Sequence, residues 1–307
     1  MKAAYFMKHG GPEVMQYGDV PDPVAGPGQV LVDVHAASVN GADWKVRAGH
    51  YAAITDVPYV PGRDCSGVVS ALGAGVSDFA IGDAVFGVCD VGQEAAYAEK
   101  IAIRSAIVAS KPESLTHAEC AALSLIGITA LISLEDTLQL KSGETILIQG
   151  GAGGVASFAI QLAKHIGARV ITTASAANHD YLRSLGADQI IDYNQQDFTQ
   201  VVSGCDAVFD TVGGDVAKRS FAVLRPGGRA AFIASGNAAP VPPRADVVSL
   251  RPKVGRDRAH LERTAALATS GAVRVPEITL YALSQAAAAH AVSEGRHFRG
   301  KLVFKVR

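Results

Sequence analysis

The sequence predicts an α/β protein that combines a β-rich domain with a doubly wound parallel sheet. From residue 145 onward, short apolar strands alternate with segments of helical spacing, as in a parallel sheet covered by helices on both faces. In the first hundred residues, short alternating strands are instead separated by Gly and Pro turns. With 307 residues, the chain is long enough for two domains.

The first hundred residues have the pattern of a small barrel or sandwich. Residues 29–35 alternate apolar and polar side chains, as a half-buried strand does, and residues 67–75 and 82–86 predict further strands joined by tight turns. A similar alternation at residues 300–306 predicts a final strand that returns to pair with the first domain.

The rest of the chain predicts the alternating elements of the parallel sheet. Within residues 114–119, a serine or threonine followed by an acid predicts a helix start. Residues 145–149 form a continuous apolar run, which is typical of a strand buried on both faces. The other predicted elements are helices at 156–166, 176–185 and 258–270, and strands at 168–173, 189–192, 207–210 and 229–234.

Composition excludes several classes of protein. The net charge of −1 lacks the basic excess of a general nucleic-acid binder, and we interpret the arginines of residues 251–258 as a solvated loop and helix start. The apolar stretch at 118–134 is shorter than the roughly 20 residues of a spanning helix. We therefore expect a cytoplasmic protein without membrane or nucleic-acid partners. The four scattered cysteines predict small buried residues rather than disulfides.

The strongest motif is the glycine-rich loop of residues 149–156, which follows an apolar strand and opens a helix. We expect Gly151 to permit the tight turn and Gly153 to let the backbone approach a pyrophosphate. The small Ala156 allows the helix to lie close to the sheet. The loop residues predicted to bind a dinucleotide, with the helix amides that follow, are Gly151, Ala152, Gly153, Gly154 and Val155.

The end of the next strand favours NADPH over NADH. An NAD enzyme usually carries an acid there for the ribose 2′-hydroxyl, but this stretch has none before Asp180. A 2′-phosphate therefore meets no like charge. The residues expected to bind it through hydrogen bonds or positive charge are Ser175, Asn178, His179 and Arg183.

Taken together, these features resemble the zinc-independent medium-chain dehydrogenase/reductase superfamily, in its quinone oxidoreductase (zeta-crystallin-like) branch. The resemblance runs nearly end to end, through the segments 40–51, 61–67, 82–87, 129–130, the glycine loop, 184–188, 210–214 and 300–303. It implies a GroES-like catalytic domain at 1–117 and 257–307 and a Rossmann NADP-binding domain at 118–256, with an active-site cleft between them. It also implies a homodimer.

The same alignment of motifs argues against a metal. Zinc members carry a cysteine near Gly41 and a Gly-His-Glu where this chain has Gly62-Arg63-Asp64. Arginine cannot ligate zinc, because its guanidinium has no free lone pair. The four-cysteine lobe of zinc members is also missing, since Cys89 stands alone.

The resemblance implies reduction of a quinone by hydride transfer from NADPH. The alternatives are an enone, alkenal or enoyl-thioester reductase and, from another class, an NADPH-binding structural or sensor protein with little turnover. Tyr51 is the candidate proton donor, or else only shapes the pocket. Asn40 is expected near the nicotinamide, or else only ties down its loop. Trp44 is either a pocket floor or, preferably, a core residue.

Further coenzyme contacts follow from the resemblance. Lys301 is expected to reach either the coenzyme or only solvent. The other residues expected at the coenzyme are Thr129, Tyr193, Ile233 and Ser235.

Overall fold

The computed structural model describes residues 1–51, 57–236 and 238–307 and divides the chain into two compact units. The first unit comprises Met1–Leu125, Arg256–Thr269 and Val275–Arg307, and the second comprises Ile126–Gly255 and Ser270–Arg274. The compact units divide within the helix His117–Leu131, after Leu125, and the domain bounds implied by the resemblance, with their division after residue 117, stay a prediction.

The secondary structure follows the chain in an order that separates the two units. The strands are β1 (Lys2–Tyr5), β2 (Gln16–Asp19), β3 (Gln29–Ser38), β4 (Asp64–Leu72), β5 (Ala84–Val88), β6 (Lys100–Arg104), β7 (Val108–Ser110), β8 (Thr145–Gln149), β9 (Arg169–Ala174), β10 (Gln189–Asp192), β11 (Cys205–Asp210), β12 (Leu224–Phe232), β13 (Val248–Leu250), β14 (Ile278–Ala282) and β15 (Lys301–Lys305). The α-helices are α1 (Gly41–Arg47), α2 (His117–Leu131), α3 (Gly154–Ile166), α4 (His179–Ser184), α5 (Phe198–Val201), α6 (Gly214–Arg219), α7 (Arg258–Thr269) and α8 (Ala286–Gly295).

The first unit is built on a sheet in the order β14-β15-β3-β4-β5-β7, with β6 also paired to β3. The long strand β3 alternates buried and half-buried residues, so one face packs on the core of this unit. The predicted return of the chain end is confirmed, because β15 pairs antiparallel with β3 and aligns Val303 with Ser38. Strand β14, which the sequence pattern did not predict, lies parallel beside β15.

Helix α2 begins where the capping pattern predicts. The Thr116 hydroxyl accepts a hydrogen bond from the Glu119 amide at 3.2 Å, and the Glu119 carboxylate accepts one from the Thr116 amide at 2.7 Å. With its π-helical end at Ile132–Thr137, the helix reaches 21 residues and a mean hydropathy of 1.6, which a membrane span also shows. It is nevertheless 83% buried inside the protein, as expected of a core helix.

The second unit is a six-stranded parallel sheet in the order β10-β9-β8-β11-β12-β13. This is the strand order of the doubly wound dinucleotide-binding fold, in which the order reverses beside the first strand, here between β8 and β11. The apolar run of β8 is buried on both faces, as predicted. The predicted helix at 176–185 is shorter, because Ala176–Asn178 form a 3₁₀ turn before α4.

The arginines of residues 251–258 do not form the solvated loop that we expected. Arg251 donates to the Phe232 carbonyl at 2.7 Å, and Arg258 donates to the carbonyls of Val108 and Ser105. Guanidinium groups that bind backbone carbonyls fix the path of the chain. The predicted helix start is confirmed, since α7 begins at Arg258. All four cysteines are buried, as predicted, and each is a free thiol.

Candidate functional site

The glycine loop joins β8 to α3 through a tight turn that contains Gly151, as predicted. The Gly153 amide closes this turn with a hydrogen bond to the Gly150 carbonyl at 3.0 Å, and Gly150 itself has a left-handed φ of +75°. A side chain at Gly151 is also excluded, because a Cβ there would lie 2.3 Å from Thr172 Oγ1. The Gly151 amide also donates to the Thr173 carbonyl at 2.9 Å, which holds the loop against β9.

Gly153 caps α3 and leaves space for a ligand. A Cβ at this exposed residue would meet only the Gly150 carbonyl oxygen, at an ordinary 3.4 Å. The amides of the first turn of α3, at Gly154 and Val155, have no intrahelical acceptor, as at any helix start. Ala156 is fully buried against the sheet, as predicted. A bare backbone and free amides at the start of a 13-residue helix fit a pyrophosphate.

Several of the predicted coenzyme contacts follow strands of this sheet at their carboxyl ends. Ser175 follows β9 and Tyr193 follows the neighbouring strand β10, whose Asp192 is aligned with Ala174. Ile233 follows β12 and donates its amide to the Asp210 carbonyl at 3.1 Å. The loop and these strand ends therefore share one edge of the sheet, where open α/β sheets bind ligands.

The predicted 2′-phosphate residues lie together after β9. Asn178 donates from Nδ2 to the Ser175 hydroxyl at 3.1 Å, and His179 opens α4 immediately afterwards. Arg183 is exposed and pairs with Asp180 at 2.5 Å, so part of its positive charge is already balanced. The charge available for a phosphate is consequently smaller than the sequence alone indicated.

Two further residues predicted to contact the coenzyme are Ser235, which has a hydrogen-bond partner nearby in the chain, and Thr129, which is buried. The Ser235 hydroxyl donates to the Ala238 carbonyl at 2.8 Å and so closes its own turn. Thr129 is 7% exposed within α2. Their contact with a coenzyme stays a prediction.

In the first unit, Asn40 lies in a buried network of hydrogen bonds. Asn40 is the N-cap residue of α1, and its backbone N–H donates to the Asp43 carboxylate at 2.9 Å. Its Nδ2 donates to Asp64 Oδ2 at 2.8 Å, and its Oδ1 accepts from Lys301 Nζ at 2.8 Å. Ser38 also donates to the Asp64 carboxylate, at 2.5 Å.

This network contradicts the expectation that Lys301 reaches solvent. Lys301 is 3% exposed, because β15 pairs with β3 and carries the side chain into the interior. Burial lowers the pKa of Lys301 and raises that of Asp64, while their mutual attraction across 3.8 Å opposes both shifts.

A second buried cluster, which the sequence did not reveal, surrounds Arg63. Its Nε donates to Glu94 Oε1 at 3.1 Å and lies 4.0 Å from Asp43 Oδ1. Burial opposes the charge of Arg63, but the carboxylates of Asp43 and Glu94 outweigh it and raise its pKa. Burial also raises the pKa of Asp43 to about 6, although Tyr97 donates to that carboxylate at 2.7 Å.

The backbone at Gly62 lies close to Tyr97, next to this cluster. Gly62 has φ of +99°, and a Cβ there would lie 2.2 Å from the ring of Tyr97. The next residue, Arg63, lies beside Glu94 and Asp43. In the sequence, the Gly62-Arg63-Asp64 triplet marks the place of this cluster, but it predicts neither the burial of Arg63 nor its partners. Within the described ranges, no group of three or more His, Cys, Asp or Glu side chains is placed to hold a metal ion.

Tyr51 lies at the exposed side of this cluster. It is 49% exposed, and its charge interaction with Arg63 helps to raise the pKa of that arginine. Trp44 is 6% exposed and packs edge-on against His50, with ring centroids 5.5 Å apart, as the core interpretation predicts. The first unit thus presents one accessible phenol beside a guanidinium and a network that contains Asn40.

Family models match both parts of the chain. Residues 26–113 match the model described as "Alcohol dehydrogenase GroES-like domain", and residues 185–304 match the one described as "Zinc-binding dehydrogenase". A quinone oxidoreductase from Pseudomonas aeruginosa is 31% identical, with 98% of each chain covered. The chain therefore belongs to the zinc-independent quinone oxidoreductase family of the medium-chain dehydrogenases/reductases.

Other relatives differ in length or in named activity. An NADPH-dependent alkenal/one oxidoreductase from Arabidopsis thaliana is 35% identical over 75% of this chain, but the match spans only 61% of that relative. Among solved structures, the quinone oxidoreductase of Coxiella burnetii superposes with a TM-score of 0.92 at 35% identity, covering 100% of this chain and 99% of that one. The Escherichia coli quinone oxidoreductase complexed with NADPH gives 0.91 at 26% identity, with 100% of both chains covered.

Proposed function

We propose that this protein reduces quinones by hydride transfer from NADPH, without a metal. The observation that carries the proposal is the glycine loop, which places a ligand-accessible Gly153 and free helix amides at the carboxyl edge of the sheet. The likeness to quinone oxidoreductases over whole chains supports the choice of acceptor. The relative named as an alkenal/one oxidoreductase supports an enone as the second candidate acceptor.

The choice of NADPH rests on the residues after β9. Ser175 and Asn178 offer polar side chains there, and the nearest acid, Asp180, is engaged by Arg183. A phosphate at this position meets hydrogen-bond donors without an unbalanced carboxylate. The E. coli quinone oxidoreductase, which is complexed with NADPH, has the same fold.

The chain's own residues then have distinct roles. The bound reduced nicotinamide supplies the hydride. Tyr51 donates a hydrogen bond or a proton to the oxygen of the acceptor, where negative charge develops as the hydride arrives. Arg63, whose Nη1 has no hydrogen bond within the described part of the chain, adds positive charge beside Tyr51. Asn40 provides one further N–H from the buried network.

We also propose a homodimer joined through strand β13. This strand lies at the edge of the six-stranded sheet, and Val248 within it is 49% exposed. An exposed strand edge is a template for pairing with a second chain. Light scattering tests this proposal: the wild-type chain is expected to be dimeric and Val248→Lys monomeric, whereas a monomeric wild type contradicts it.

An acceptor panel tests the proposed reaction. NADPH oxidation is followed with a benzoquinone, a naphthoquinone and a short enone, and NADP reduction is followed with an alcohol. Turnover of the quinones without alcohol oxidation supports the proposal, and turnover of the enone alone selects the second candidate. Tight NADPH binding without turnover of any acceptor contradicts both and favours a binding protein.

A further inference from the structure

The carboxamide of Asn40 is held at both ends by buried groups of opposite charge. Lys301 donates to Oδ1 at 2.8 Å, and Asp64 accepts from Nδ2 at 2.8 Å. Lys301 also donates to the Val39 carbonyl at 2.8 Å, which fixes its ammonium beside the carboxamide. Asn40, Asp64 and Lys301 are 9%, 0% and 3% exposed, so water screens these contacts little.

The charges of Lys301 and Asp64 select one of the two orientations of the Asn40 carboxamide, which have nearly the same shape. A carboxamide rotated by half a turn would place its N–H groups against the ammonium and its oxygen against the carboxylate. Both contacts would be repulsive, and in a buried site such repulsion is weakly screened. Lys301 and Asp64, which we call the clamp, therefore keep Oδ1 of Asn40 facing the ammonium and Nδ2 facing the carboxylate. Nδ2 is thereby fixed as a hydrogen-bond donor.

One N–H of the Asn40 side chain has no acceptor among the described residues. A carboxamide nitrogen carries two hydrogens, and Asp64 accepts only one of them. No second hydrogen bond from Nδ2 occurs within residues 1–51, 57–236 and 238–307. Asp64 Oδ1 is itself buried without a hydrogen bond in the same described ranges. A buried acceptor left unsatisfied costs stability, so this network is not optimised for stability alone.

We propose that Lys301 and Asp64 are positioning residues that present Asn40 as a hydrogen-bond donor to a carbonyl oxygen. The proposal rests on the proposed function, because that oxygen belongs either to the electron acceptor or to the carboxamide of the coenzyme. Lys301 acts through Asn40 and does not itself touch either molecule. Its place in the reaction therefore differs from both alternatives expected from the resemblance, direct contact with the coenzyme and exposure to solvent.

Kinetics of paired variants test the positioning. Lys301→Met together with Asp64→Asn removes both charges, so no unbalanced charge is left in the interior. We expect this variant and Asn40→Ala each to lose about tenfold in kcat/KM for the acceptor or for NADPH, the value of roughly one hydrogen bond. Combining all three changes should cause no further loss, because the clamp acts only through Asn40. Lys305→Met, an exposed lysine on the same strand, is the control and should match the wild type.

The kinetic constants of these variants show whether Asn40 donates to the oxygen of the acceptor or to that of the coenzyme carboxamide. A lower kcat/KM for the acceptor alone assigns the N–H to the acceptor, and a higher KM for NADPH alone assigns it to the coenzyme. A folded double variant with wild-type kcat and wild-type KM for both the acceptor and NADPH overturns the positioning role, and so does a loss that adds to that of Asn40→Ala.

A spectroscopic measurement separates the clamp from the proposed function. In the wild type, the two Asn40 side-chain N–H protons should differ in chemical shift by more than those of the exposed Asn194, because one of them is bonded to the Asp64 carboxylate, and this excess should be lost in the double variant. A wild-type difference equal to that of Asn194 overturns the clamp. If the excess is present but the chain never oxidises NADPH, the clamp stands while the proposed function, and with it the assigned role of the donor, is refuted.

Discussion

Nη1 of Arg47 lies 3.3 Å from Nδ1 of His290, and both side chains are fully buried. Because arginine can only donate, Nδ1 must accept and the proton of the neutral ring must lie on Nε2. Nε2 has no hydrogen bond within the described ranges. Burial, with the adjacent guanidinium, lowers the pKa of His290 to about 3, so the folded protein keeps this ring neutral.

This histidine predicts a loss of stability in mild acid. Its pKa is near 6.5 when unfolded and about 3 when folded, so its contribution is complete above pH 6.5 and declines as the pH falls toward 3. Between pH 6.5 and 4 this amounts to about 3 kcal/mol. His290→Gln, whose carbonyl can still accept from Arg47, lacks this dependence. The difference in free energy of unfolding between the wild type and His290→Gln, measured in urea, should therefore shrink as the pH falls. The same difference for His297→Gln, at an exposed histidine, should not change with pH. A difference for His290→Gln that is independent of pH would contradict the assignment.

The two glycines of the loop predict opposite phenotypes. Gly153→Val should fold normally, because its Cβ meets only one carbonyl oxygen at 3.4 Å, but it should lose NADPH binding by at least tenfold. Gly151→Val should be destabilised, because its Cβ would lie 2.3 Å from Thr172 Oγ1. Coenzyme titration and thermal unfolding of both variants check this. Unchanged NADPH affinity in Gly153→Val would remove the loop from the coenzyme site.

The residue after β9 predicts the coenzyme preference. Ser175→Asp places a carboxylate where the 2′-phosphate is expected and should shift the ratio of kcat/KM for NADPH over NADH by about tenfold or more toward NADH. Ser203→Asp adds the same charge at an exposed position of the same unit and serves as the control. An unchanged ratio in Ser175→Asp would move the 2′-phosphate site elsewhere.

The exposed phenol of Tyr51 predicts a selective loss of turnover. Tyr51→Phe should lower kcat with the accepted substrate by about tenfold to a hundredfold, while the Kd for NADPH stays within about twofold. Tyr17→Phe removes the hydroxyl of a similarly exposed tyrosine, 47% against 49%, and should have no effect. Equal turnover in Tyr51→Phe would remove it as the proton donor and leave only a role in shaping the pocket.

The sequence predicted the parallel sheet well, because apolar strands such as β8 carry their signal locally. The return of β15 was also predictable from its alternation. Lys301 was not, because a lysine ahead of an apolar strand usually lies in solvent, and its partner Asn40 is 261 positions away. Only the pairing of β15 with β3 shows that the two meet.

Two local details lay outside the sequence patterns. The motif spacing identified the glycine loop, but not the left-handed φ at Gly150 or the close approach of Gly151 to Thr172 of β9. Likewise, the pattern did not show that Gly62 approaches the ring of Tyr97 or that Arg63 lies beside Glu94. These contacts join segments that are distant in the sequence, and local patterns do not contain them.

The most direct test of the central claim is the rate of coenzyme oxidation by the wild-type chain and Gly153→Val, with one quinone and one enone as acceptors. We predict that the wild type oxidises NADPH with at least one acceptor, much faster than it oxidises NADH, and that Gly153→Val does not. Equal rates in the two proteins, or no oxidation of NADPH by the wild type with either acceptor, would contradict the account of an NADPH-dependent reductase.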